Sequence, residues 1–111
     1  MVLFCGPDGP VGQFDYEIER LQRLVADLKA IKLGAAPSAQ TLNSSPVIHL
    51  YTLAARDDCL CLKGVAEGHP RLGTRHVLTS DLWVMAPRHG WARTLSRFYR
   101  LGRPLGAPED G

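Results

Sequence analysis

From His76 to Leu101 apolar and polar side chains alternate, with one break at Pro87-Arg88-His89-Gly90. A two-residue period puts successive side chains on opposite faces of a strand, so it demands a buried face and a polar one. It predicts a strand over His76–Ala86, a turn with good chemistry at Pro87–Gly90, and a returning strand over Trp91–Leu101. On the returning strand Trp91, Arg93, Leu95, Arg97 and Tyr99 share one face. Ala92, Thr94, Ser96, Phe98 and Arg100 take the other. Read as a helix instead, the stretch would still line up Arg93, Arg97 and Arg100 on one side.

Upstream the period changes. Phe14, Ile18, Leu21, Val25, Leu28 and Ile31 recur at steps of three and four, the mark of an amphipathic helix over Phe14–Leu33. Arg20, Arg23, Asp27 and Lys29 are expected to point outward, and Gly34 suits the position just past the helix end. Ser38 can cap a short helical turn through Leu42, and Pro46 blocks its continuation. Val47–Ala54 and Cys59–Glu67 read as strands around an Asp57-Asp58 turn, with a bulge at Gly64, and a helix continuing to Arg56 is the alternative for the first of them. Gly68–Gly73 is a loop.

The expected fold class is therefore α+β. A long N-terminal helix packs through Ile18, Leu21, Val25 and Leu28 on a small, mostly antiparallel sheet of three to four strands. A partly closed small barrel is the alternative geometry. Residues 14–102 form the single compact domain. Residues 1–13, rich in glycine and proline, form a flexible arm, and residues 103–111 a loose tail.

A chain of 111 residues can bury one modest core without disulfides or metal. Its three cysteines, Cys5, Cys59 and Cys61, fit no disulfide framework and suggest a reduced, cytoplasmic setting. The start MVLFCGPDGP lacks the features of a signal peptide. No apolar run approaches the roughly 20 residues needed to span a bilayer, so no membrane association is expected.

Net charge is only +2, but it is unevenly spread. Residues 1–34 hold five acids and four bases, whereas His69–Arg103 hold seven arginines against Asp81 alone. A local basic field can hide in a near-neutral total. The candidate binding face comprises Arg88, Trp91, Arg93, Arg97, Tyr99, Arg100 and Arg103. Arginine forks suit phosphates and carboxylates, and interleaved rings suit bases. The competing explanation is a solvated strand face whose arginines lie over Trp91 and Tyr99 or pair with Asp15, Glu17, Glu19 or Asp81.

Other constellations are weaker. Cys59-x-Cys61 with His49, His69, His76 and His89 lacks the two-to-four-residue spacing of structural zinc pairs. Two thiols one residue apart on a strand are expected to be buried small hydrophobes, with Cys5 free on the arm. His69, Ser80 and Asp81 supply the residue types of a hydrolytic triad, but nothing orders them. GPDGPVG lacks the Gly-Lys-Ser/Thr ending of a phosphate loop. No metal, no cofactor and no catalytic residue is expected.

Three segments carry a resemblance: Gly68-His69-Pro70, Thr79-Ser80-x-Leu82 and Trp91-Ala92-Arg93-Thr94-x-Ser96-Arg97-x-Tyr99. Over about Ile18–Gly102 the chain resembles a family of small uncharacterised alphaproteobacterial proteins, a domain of unknown function. The resemblance implies a bacterial protein and one compact unit, and no activity. The leading expectation is a non-enzymatic cytoplasmic binding module that meets an anionic partner, nucleic acid or an acidic protein, with its arginine-rich face. The alternative is a protein-interaction or regulatory protein, of the kind mobile elements encode, without nucleic-acid contact. A small enzyme comes third. A homodimer through the N-terminal helix is a further expectation.

Overall fold

A computed structural model describes residues 3–71 and 73–107. The outermost residues of the expected arm (1–2) and tail (108–111) fall outside them. The chain divides into two compact units, one within Met1–Ala36 and one within Pro37–Gly111.

In the first unit β1 (Phe4–Gly6) and β2 (Gly9–Val11) form a two-stranded antiparallel hairpin. Helix α1 (Phe14–Lys32) follows. Asp15 and Glu17 occupy its first turn and Lys29 and Lys32 its last, which complements the helix dipole. Gly34, at φ +85°, takes the left-handed conformation expected after the C-terminus.

The helix lies where the sequence puts it, but its buried side does not. Leu24 and Glu17 are its buried residues, whereas Ile18, Leu21 and Val25 are each about half exposed, at 49, 49 and 48%. Arg20, one turn after Glu17, forms an ion pair with it. That pairing offsets part of the cost of burying a carboxylate. A hydrophobicity pattern does not register such compensation.

The second unit holds α2 (Ala39–Ser44) and β3 (Val47–Arg56), β4 (Cys59–His69), β5 (Gly73–Leu78), β6 (Leu82–Ala86), β7 (Trp91–Thr94) and β8 (Phe98–Leu101). Ser38 caps α2, its hydroxyl accepting the Thr41 amide at 3.1 Å. The six strands form one mixed sheet in the order β5-β4-β3-β8-β7-β6, antiparallel except for the β3–β8 pair. With the β1–β2 hairpin the described residues hold eight strands in two sheets. The expected helix on a sheet of three to four strands is therefore corrected to a mostly β molecule with one long helix.

The undercount has a local cause. Each of the two long expected strands breaks into two. Thr94 folds the Trp91–Leu101 segment into a tight hairpin. Its amide donates to the Arg97 carbonyl at 2.9 Å, and its hydroxyl bonds the same carbonyl and the Arg97 amide. The His76–Ala86 segment breaks at Thr79–Asp81. There Thr79 exchanges bonds with Leu62 in mid-β4: its amide reaches the Leu62 carbonyl at 2.8 Å, and its hydroxyl accepts the Leu62 amide at 2.9 Å. Threonine hydroxyls compete with the ladder for backbone groups, which alternation alone cannot show.

β4 also touches β6, at the opposite end of the strand order, so the sheet curls toward itself. The inside of the curl is the core: Ile48, Leu62, Ala66, Ala92 and Tyr99, flanked by Tyr51, Val77, Leu82, Met85 and Leu101. The β3–β4 register shifts between His49 and Thr52, opposite Gly64. The bulge anticipated at that glycine thus lies on the facing strand. Beyond β8 the chain continues alongside β3, where the Leu105 amide donates to the Tyr51 carbonyl at 2.9 Å. Cys61 is buried, but Cys59, at the hairpin end, is exposed, as is Cys5. No described helix is long and apolar enough to cross a membrane.

Candidate anion-binding site

The β7–β8 hairpin decides what each arginine can do. Trp91 pairs with Arg100, Ala92 with Tyr99 and Arg93 with Phe98. Directly paired residues share a face, so Trp91, Arg93, Phe98 and Arg100 lie on one side and Ala92 and Tyr99 on the core side. The turn separates Arg93 from Arg97, which a continuous strand would have kept on one face.

Arg93 is 3% exposed. Its guanidinium lies 5.2 Å from the centre of the Phe98 ring and donates to the Thr94 carbonyl. Trp91 meets Phe98 edge-on at 5.6 Å. Arg100 holds the Ser45 carbonyl at the end of α2 with Nε (3.1 Å) and Nη2 (3.0 Å). Arg103 donates to the Ala107 carbonyl at 2.8 Å. These three arginines are engaged with backbone carbonyls. Trp91 and Tyr99, expected to be partly accessible, are 5% and 4% exposed, and Trp83 on β6 is the exposed tryptophan. Arg88 stands exposed in the Pro87–His89 turn, apart from this packing.

Arg97 has another setting. It follows the Leu95-Ser96 turn, which is braced from outside: Leu95 donates its amide to the Asp81 carbonyl at 2.7 Å, and the Ser80 hydroxyl donates to Ser96 Oγ at 3.2 Å. Its guanidinium bears electrostatically on His69 and Tyr99. These two rings lie 6.4 Å apart, tilted by 40°. His69 ends β4, and its Nδ1 accepts the Arg71 amide at 3.0 Å. An accepting Nδ1 leaves the proton of the neutral ring on Nε2.

The electrostatics follow from these positions. Burial, then Arg97 and then Arg71, hold the His69 pKa below its ordinary value of 6.5. Burial raises the Tyr99 phenol, with Arg97 opposing. At neutral pH the imidazole and the buried phenol are therefore both uncharged, beside the Arg97 and Arg71 side chains. Among the described residues neither Arg71 nor Arg97 has a carboxylate within ion-pair distance. Such a group can attract and orient an anion.

The sequence singled out Arg97 and Tyr99 but left His69 and Arg71 in a loop. The signal was the basic His69-Pro70-Arg71 between two glycines, but nothing in one dimension joins it to Arg97. Of the triad's residue types, the Ser80 hydroxyl donates to Ser96 Oγ. Among the described residues no group of three or more His, Cys, Asp or Glu is placed to hold a metal ion.

A family model described as a family of unknown function, DUF6634, matches residues 18–110. No curated protein and no solved structure matches the chain.

Proposed function

The chain belongs to DUF6634, a family of unknown function, and for it we propose a non-enzymatic binding module that meets an anionic partner through Arg97 and Arg71. Nucleic acid is the favoured partner, because arginine forks without carboxylates neutralise phosphates. The observation that carries the reading is that the Arg97 and Arg71 charges both act on His69 while, among the described residues, neither guanidinium has a carboxylate within ion-pair distance. Three free cysteines support a cytoplasmic setting.

The test uses oligonucleotide binding across a salt series together with melting temperature. Arg97→Ala and Arg71→Ala are each expected to lower the salt slope by about one, nearly independently of sequence. Arg93→Ala is expected to lower the melting temperature and leave affinity unchanged, since its guanidinium is buried against Phe98. An acidic protein partner would leave oligonucleotides unbound at low salt, and that result rejects the nucleic-acid reading.

His69 adds a pH dependence with a definite sign. A bound anion favours imidazolium, so affinity rises as pH falls through the window around and below 6.5. Stability of the free protein moves the other way. A depressed folded-state pKa means that the unfolded chain takes the proton first, so this contribution is present above 6.5 and is lost below it. His69→Gln should flatten both profiles. Affinity that is flat with pH in the parent rejects a role for His69.

A second reading has its own observation. Ile18, Leu21 and Val25 form an exposed apolar line on α1. Exposed apolar stripes of this kind mark interaction surfaces, and a homodimer through α1 accounts for it. Association that depends on protein concentration, measured by sedimentation, tests this.

A further inference from the structure

We propose that the exposed stripe of α1 docks antiparallel against α1 of a second copy, with Asp15 of each copy beside Lys29 of the other and Gln22 near the two-fold axis. This rests on the reading that α1 self-associates, and it specifies the partner's orientation.

The stripe has the spacing of a helix–helix seam. Ile18, Leu21, Val25 and Leu28 advance by three, four and three residues, and the first three are exposed. A 3–4 alternation keeps apolar side chains facing a neighbouring helix over several turns. One edge of the seam carries Asp15, Gln22 and Lys29, seven residues apart and all exposed. Positions seven apart stay on one side of a seam. That edge therefore runs from acid through amide to base.

Such a gradient is complementary to its own reverse. Rotating a second copy by a half-turn about Gln22 sets each Asp15 opposite a Lys29. An isologous contact of this kind repeats every favourable pair twice. The acidic first turn and the basic last turn, Asp15 and Lys32 included, point to the same orientation, as do two opposed helix dipoles. A parallel pair would set acid beside acid and base beside base. The gradient also disfavours a phosphate-bearing or lipid surface, which calls for one uniformly basic edge.

The seam is short, so the dimer is expected to be weak, and sedimentation velocity should reach roughly 0.5 mM protein. Leu21 is half exposed, so Leu21→Asp leaves the fold intact and is expected to weaken association at least tenfold. Asp15→Lys and Lys29→Asp are each expected to weaken it roughly tenfold, since each turns two attractive pairs into repulsive ones. Mixing these two variants should restore parental affinity, because every facing pair is then opposite in charge. A helical circular dichroism spectrum like the parent's confirms that each variant is folded. A monomeric parent, or a dimer indifferent to Leu21→Asp, overturns both this orientation and α1 association itself. Association lost in Leu21→Asp but not restored on mixing overturns the antiparallel orientation and leaves α1 association standing.

Discussion

Leu62→Ala is expected to destabilise the sheet unit by roughly 2–5 kcal/mol, the loss for a buried leucine whose surroundings only partly close the cavity. Leu62 is 0% exposed and sits in mid-β4 within the core cluster. Its backbone is also held from two sides, by Leu53 across the β3 ladder and by Thr79. That double hold limits the relaxation that would fill the cavity, so the upper half of the range is expected. Urea denaturation followed by tryptophan fluorescence gives the number. The m-value should be unchanged, since folded compactness is not at issue. A loss under about 1 kcal/mol would mean that the core collapses freely around this position, contrary to the packing described.

Gly64→Ala is expected to cost roughly 1–3 kcal/mol, although alanine is one of the smallest changes available. The backbone φ at Gly64 is not left-handed, so conformational freedom is not the reason. The reason is space. A Cβ at Gly64 would lie 2.7 Å from the His49 carbonyl oxygen and 3.1 Å from Tyr51 Cα. Both are backbone atoms, brought close by the β3 bulge opposite, and neither can swing aside as a side chain can. The Ile48 side chain, at 2.9 Å, closes the third side. The same denaturation experiment reads the effect. Unchanged stability would show that the bulge shifts at little cost.

Residue 64 illustrates how far the sequence reaches. A glycine inside an apolar alternation announces a close backbone approach, and the bulge is there. One chain segment cannot say which strand carries the bulge, because that depends on register against a partner. The same division runs through the helix. Steps of three and four put α1 at Phe14–Lys32 within a residue of expectation. Its buried residues are instead Glu17 and Leu24, and an ion pair with Arg20 offsets the cost of burying the carboxylate.

The basic stretch divides likewise. Composition alone located the arginine excess between His69 and Arg103. The hairpin turn at Leu95-Ser96 then sorted it. It sent Arg93 into packing against Phe98 and left Arg97 where its charge acts on His69, while Arg100 reached back to cap α2. Periodicity and turn chemistry act between near neighbours, so the sequence by itself determined the long helix, the capped turn at Ser38, the Asp57-Asp58 hairpin and the presence of a basic region. Tertiary structure alone decided the strand count, the parallel β3–β8 pairing and the placing of the Arg97 charge where it acts on His69. Each of those depends on groups distant in the chain competing for the same backbone bonds and the same buried volume.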